Sequence, residues 1–374
     1  MHTRSKFRLL VVRLGAMGDI LHALPAIAAL RQAHPDWIID WVVEPHWQAL
    51  LKTDQAQSRR PIVDRLHFAP TKAWRKDPFS RRTVQEIMDL RGTLRAGEYD
   101  AVLDVQGSIR SAVIGRFASS RRLVGEDQPR EHAARWLFTE RVATRGAHVI
   151  QQDVELASAI AGDDLKPVKP WLPIDDAAEA WADKTLPKQP AKPAVLINPG
   201  AGWGAKRWPL ENYALVAKSL VDRGCRVLVN VGPGEEAFIE ALSVATGGAA
   251  IPLACSLEKL IAVTRRVSLA IAGDTGPLHL ACALGRPVVA IFGPTDPSRN
   301  GPFGSRFKVL RSPESRRDHT RRAEPEAGLL TIQPEDVLRA ADELLAELAA
   351  PEFDNDPWEA KTPVPPQGKP ITDH

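Results

Sequence analysis

Four short stretches bring together residue types that handle anions and protons. The first is Arg13-Leu14-Gly15-Ala16-Met17-Gly18-Asp19-Ile20-Leu21-His22-Ala23-Leu24-Pro25, which sets one carboxylate, Asp19, behind two glycines. A carboxylate at a helix start serves either as a cap or as a general base. The helix dipole favours its charged form, so the base role needs a proton that turns acidic in the transition state. A hydroxyl attacking an electrophilic carbon supplies one. The second stretch is Asn198-Pro199-Gly200-Ala201-Gly202-Trp203-Gly204-Ala205-Lys206-Arg207-Trp208-Pro209. Its small residues let backbone N–H groups approach an anion, and Lys206 adds a full charge beside them. It reads as a diphosphate cradle or as an ordinary loop with a solvated lysine.

The third stretch is Gly273-Asp274-Thr275-Gly276-Pro277-Leu278-His279. Pro277 suits the first turn of a helix, which would aim the N–H groups of Thr275 and Gly276 at an anion. Asp274 or Thr275 is otherwise a simple N-cap, and His279 either faces the same ligand or is a core histidine. The fourth, Phe292-Gly293-Pro294-Thr295-Asp296-Pro297, closes another strand and reads most simply as a turn. Glu235 and Glu236 follow Gly232-Pro233-Gly234 and either cap a helix or accept hydrogen bonds from a ribose or base. None of these stretches has the spacing of a dinucleotide fingerprint or a P-loop.

These loops need strands before them and helices behind them. Phe7 to Val12 is an apolar run of the kind a buried parallel strand shows. Further strands are read at 38–43, 63–68, 101–105 and 122–124, with helices at 80–95, 108–117 and 148–161. The second half restarts the rhythm: strands at 194–198, 226–231, 267–272 and 287–292, helices at 210–223, 235–245, 256–265, 277–284 and 334–349. Alternation of this kind predicts an α/β fold with parallel sheets, one in each half. Residues 1–162 and 194–333 are the expected domains. Residues 163–193, with six prolines, are the expected linker with a short helix near 177–184, and residues 350–374 an expected disordered tail.

In the first half, Asp104-Val105-Gln106-Gly107 ends a strand on the same edge as Asp19. Lys72, Trp74, Arg75 and Lys76 form a basic, aromatic segment, Arg110 lies on the next helix, and Arg130 and His132 lie in a later loop. Residues 1–162 carry 24 Lys/Arg against 18 Asp/Glu, whereas 163–374 carry 25 against 28. The basic half therefore meets an anionic partner, and with no nucleic-acid motif a phosphorylated lipid or sugar acid ranks first. The three cysteines, Cys225, Cys255 and Cys282, match no metal spacing and read as small buried hydrophobes. The N-terminus reads as a first strand rather than a signal peptide, and no apolar run is long enough to span a bilayer.

The motifs Gly15 to Pro25, Trp41-Val42-Val43-Glu44, Lys206-Arg207-Trp208-Pro209, Gly273 to His279 and Phe292 to Pro297 together resemble the lipopolysaccharide heptosyltransferases, in the heptosyltransferase I form more than the II form. The resemblance spans roughly residues 8–349. It implies a GT-B fold, two Rossmann-like domains facing a central cleft, with the 334–349 helix returning to the N-terminal domain. It implies inverting transfer of L-glycero-D-manno-heptose from ADP-heptose to the Kdo of lipid A, without a metal cofactor. Asp19 would be the base. Lys206, Asp274, Thr275, Gly276 and His279 would hold the diphosphate and sugar, and Glu235 or Glu236 the nucleoside. Ala201 and Gly202 stand where some members carry hydroxyls, so their backbone groups would serve. Arg13, Gly18, Lys72, Arg75, Lys76, Gln106 and Arg130 would meet the acceptor. The enzyme would sit in the cytoplasm, at the anionic inner face of the inner membrane. A relative with another donor or acceptor, a GT-B nucleotide-sugar epimerase and a silent sugar-nucleotide binder are the alternatives.

Overall fold

A computed structural model describes residues 6–186, 192–232, 236–316, 323–349 and Trp358. The N-terminal lobe runs β1 (Arg8–Val12), α1 (Met17–Ala33), β2 (Ile38–Val43), β3 (Arg65–Phe68), α2 (Thr71–Lys76) and α3 (Arg81–Ala96). It continues through β4 (Ala101–Asp104), α4 (Ile109–Phe117), β5 (Arg122–Glu126), β6 (Glu140–Val142) and α5 (Val149–Ala161). The strands are all parallel, in the order β3-β2-β1-β4-β5-β6. Leu9, Leu10, Val11 and Val12 are fully buried, since both faces of a parallel sheet are covered.

After α6 (Asp176–Thr185) the C-terminal lobe runs β7 (Ala194–Asn198), α7 (Leu210–Asp222), β8 (Arg226–Asn230), α8 (Glu236–Thr246), β9 (Ile251–Leu253) and α9 (Leu257–Thr264). Then come β10 (Leu269–Gly273), α10 (Gly276–Ala283), β11 (Val288–Phe292), α11 (Pro297–Asn300), β12 (Phe307–Arg311) and α12 (Pro334–Ala349). Its sheet order is β12-β11-β10-β7-β8-β9, again all parallel. Counted from its own first strand, this is the order of the N-terminal sheet. In each lobe the connections reverse direction beside the central strand, between β1 and β4 and between β7 and β10. Ligands of open parallel sheets bind at such switch points.

One expectation is corrected. Helix α12 does not return to the N-terminal lobe but packs on the C-terminal sheet and α7. Its apolar face of Val337, Leu338, Ala341 and Leu344 shares a core with Val216, Leu220 and Ile291. Lys308 on β12 also pairs with Glu343 at 2.6 Å. The segment that ties the lobes is α6 and the chain before it. Glu179 binds Arg265 at 2.7 Å beside α9, while the backbone N–H groups of Ile174 and Asp176 donate to the side-chain oxygens of Gln57 and Gln55 in the N-terminal lobe. The expected disordered tail lies outside the described residues, except Trp358, whose ring meets Phe303 edge-on.

Candidate active site at the seam between the lobes

Asp19 lies in the first turn of α1, where the chain leaves β1. Its Oδ2 accepts the Ala16 N–H at 3.0 Å, which satisfies one of the orphan donors of the helix start. Its Oδ1 faces Arg13 Nη2 at 3.0 Å, and the side chain remains 39% exposed. Capping and availability to a substrate thus coexist in one carboxylate. Arg13 is buried, donates from Nη1 to the Val105 carbonyl and has its own carbonyl bound by Trp41 Nε1 at 2.9 Å. Its guanidinium orients Asp19, which places this expected acceptor residue beside the candidate base.

Gln106 is also committed within the protein. Its Oε1 accepts the Leu14 N–H at 2.8 Å and its Nε2 donates to Ser108 at 3.0 Å, stitching the loop after β4 to the Asp19 loop. Glu44 binds the Thr71 hydroxyl at 2.6 Å and the Lys72 N–H at 3.0 Å. That bond anchors the first turn of α2, from which Lys72, Arg75 and Lys76 project exposed. Arg130 is exposed too, and its backbone abuts Gly107 at the end of β4. These four cations rim the strand-end edge that holds Asp19.

Across the seam, Lys206 closes a short 3-10 turn after β7 and pairs with Asp274 after β10. It also lies 4.3 Å over the Trp203 ring. Gly204 permits this turn, because any side chain there would strike the Ala323 backbone. Ala201 and Gly202 precede it, with open space around Gly202. Asp274 is the hub: Oδ2 takes Lys206 and the Thr295 hydroxyl at 2.7 Å, and Oδ1 faces His279 Nε2 at 3.4 Å. Burial pushes its carboxyl upward, but the His279 bond and the Lys206 charge outweigh burial and hold it far below the usual range. Thr275 caps α10, and Gly276 and Pro277 open it, so its dipole points at the same edge. Glu235 lies outside the described residues, and Glu236 opens α8.

The two loops meet. A Cβ on Gly276 would sit 2.6 Å from Met17 Sδ, and one on Gly18 would sit 2.8 Å from His279 Cδ2. Gly18, expected at the acceptor, leaves room for the His279 ring of the other lobe. Gly18→Ala is expected to lower kcat/KM by about tenfold, because the His279 ring is held and cannot yield; overpacking costs about 1–3 kcal/mol. Steady-state rates, beside a thermal midpoint lowered by only a few degrees, would check this.

Three residues of the seam escaped the sequence reading. Thr295 was visible as part of a turn motif, yet its hydroxyl serves Asp274. His22 stands inside the first motif but without an assigned role, His148 gave no signal beyond its type, and both face the other lobe. His22 Nε2 lies 3.0 Å from His279 Nδ1. His148 caps α5 by accepting the Ile150 N–H, and its Nε2 lies 3.1 Å from the Gly301 carbonyl.

Burial is the main cause that lowers His148 from 6.5 to about 4. The unfolded chain therefore takes the proton first, and the stability His148 lends is whole above pH 6.5 and is lost as pH falls toward 4. Asp153 and Asp104, pushed up by burial to about 7 and about 6, work in the opposite sense over that range. His148→Asn keeps the cap and removes the titration. It is expected to lose about 2 kcal/mol less than the parent between pH 7 and pH 5, read from urea unfolding at each pH.

A family model described as Glycosyltransferase family 9 (heptosyltransferase) matches residues 87–329. The chain is 31% identical, over 82% of its length and 94% of the relative's, to Lipopolysaccharide heptosyltransferase 1 of Escherichia coli K12. It is 28% identical, over 79% of its length and 81% of the relative's, to the Lipopolysaccharide heptosyltransferase 1 of Pseudomonas aeruginosa PAO1. The solved E. coli heptosyltransferase WaaC with ADP-2-deoxy-2-fluoro heptose matches at TM-score 0.71 and 28% identity, covering 90% of this chain and 99% of that one. Two matching Rossmann-like lobes with parallel sheets agree with these relatives: the chain belongs to glycosyltransferase family 9 and has the GT-B fold.

Proposed function

We propose that this glycosyltransferase moves a heptose from ADP-heptose to a hydroxyl of Kdo on lipid A, inverting the anomeric carbon. The observation that carries the reading is that the two switch-point loops meet at one seam, Gly18 against His279. Asp19 takes the acceptor hydroxyl proton as that oxygen bonds to the anomeric carbon. The bond from that carbon to the diphosphate breaks, and ADP leaves with the electron pair. Lys206 and the start of α10 stabilise the leaving charge, a task that metal ions perform in other enzymes. The relatives' names, heptosyltransferases of lipopolysaccharide, and the ADP-heptose analogue held by one of them support a heptose donor and an acceptor within lipopolysaccharide. A heptosyltransferase II-like acceptor is the rival within the class.

Incubation of the full chain with ADP-heptose and Kdo-lipid A, with and without a chelator, tests the reading by product mass. One added heptose at equal rates in both arms is expected. Consumption of ADP-heptose without acceptor, or transfer only to an already heptosylated acceptor, would overturn it.

The same reading places the enzyme at an anionic inner-membrane surface from its cytoplasmic side. Among the described residues no helix is long and apolar enough to cross a membrane. Support for surface contact comes from α3. Its core face is Thr83, Ile87, Leu90 and Leu94. One exposed flank carries Arg81, Val84, Met88, Arg91 and Arg95 at three- and four-residue steps. The other carries Glu86, Asp89 and Thr93. Phe79, 93% exposed, precedes the helix. Apolar residues among arginines on one flank suit an anionic bilayer interface. Substituting Gln for Arg81, Arg91 and Arg95 together is expected to weaken binding to phosphatidylglycerol vesicles more than tenfold, at about 1 kcal/mol per cation; co-sedimentation reads this.

A further inference from the structure

We propose that His22 is a positioning residue for the donor site: its Nε2–H donates across the seam to His279 Nδ1 and fixes His279 with its own proton on Nε2, facing Asp274. The two nitrogens stand 3.0 Å apart, and both side chains are buried. Their rings meet edge-on with centroids 4.1 Å apart. Asp274 is an acceptor-only carboxylate, so the His279 nitrogen facing it carries the proton. In a neutral imidazole the other nitrogen then accepts, and His22 is the group placed to donate to it.

His148 does not compete for this proton. Its Nδ1 accepts the Ile150 N–H and its Nε2–H donates to the Gly301 carbonyl, so both nitrogens are spent. Burial, with His279, His148 and Arg13 nearby, holds His22 well below the usual histidine range and so keeps it neutral. The relay runs from His22 through His279 to Asp274, where Lys206 and Thr295 also bind. His22 stands three residues after Asp19, on the same side of α1. One helix of the N-terminal lobe thus presents the base and also sets the acid that holds the diphosphate lysine.

The kinetic part of this inference rests on the heptose-transfer reading; the proton's position does not. In uniformly 15N-labelled full-length protein, long-range proton–nitrogen spectra should show His279 protonated at Nε2. His22→Leu should lose that fixed pattern and lower kcat about tenfold, because a buried acceptor is left unsatisfied. Its affinity for ADP should change less than about threefold, and its thermal midpoint should confirm a folded chain, since Lys206 is untouched. His22→Gln, which returns an N–H at similar reach, should recover most of the turnover. A parent His279 protonated at Nδ1, or a folded His22→Leu with unchanged spectra or unchanged kcat, would overturn the proposal. A parent that transfers no heptose defeats the reaction assignment alone, and the spectra still decide the relay.

Discussion

Asparagine in place of Asp19 is expected to slow heptose transfer by about 10²–10⁴-fold, the usual range for removing a positioned general base. The substitution preserves what a capping role needs. The asparagine Oδ1 still accepts the Ala16 N–H, so α1 keeps its first turn. What is lost is the charge and the capacity to take a proton. Arg13 loses its ionic partner, a cost of about 1 kcal/mol because the Asp19 side of the pair is exposed. The thermal midpoint should therefore fall by only a few degrees. Donor binding should stay within a few-fold, since Lys206, Asp274 and Thr295 lie on the other lobe. Turnover within about fivefold of the parent, at saturating donor and acceptor, would reduce Asp19 to a cap.

The sheets were legible because central parallel strands are buried on both faces and read as unbroken apolar runs. Leu9 to Val12 and Val195 to Ile197 are such runs. The edge strand β12 was not, because Phe307-Lys308-Val309-Leu310-Arg311 is half exposed and carries two cations. Helix α12 was legible as an amphipathic helix, but an apolar face does not state which sheet it covers. The loops with Asp19, Lys206 and Asp274 announced themselves through glycine, charge and helix starts. Their partners did not. Arg13 reads as an anion binder, and only the fold shows its guanidinium beside Asp19 and the Val105 carbonyl. His22 and His279 are 257 positions apart, so only the folded lobes reveal the bond.

Alanine at Lys206 is expected to lower kcat/KM by about 10²–10³-fold, the loss seen when one preorganised charge stabiliser is removed from a developing anion. Two effects are mixed in that number. In the proposed mechanism Lys206 meets the leaving diphosphate, and it also neutralises Asp274, whose carboxyl is buried and held far below its usual range by His279 and Lys206 against the pull of burial. Breaking a buried pair from one side leaves the other charge uncompensated, at about 3–5 kcal/mol. The double variant Lys206→Met with Asp274→Asn separates the two effects. If Lys206 served only to quiet Asp274, removing both charges would recover stability and turnover together. If it neutralises the diphosphate, the double variant regains its thermal midpoint but stays at least 10²-fold slow and binds ADP weakly. The second outcome is expected, because the lysine sits at the switch point beside the start of α10, where the helix dipole already favours an anion. A double variant that transfers heptose at near-parental rate would remove Lys206 from the chemistry and leave α10 to hold the leaving group alone.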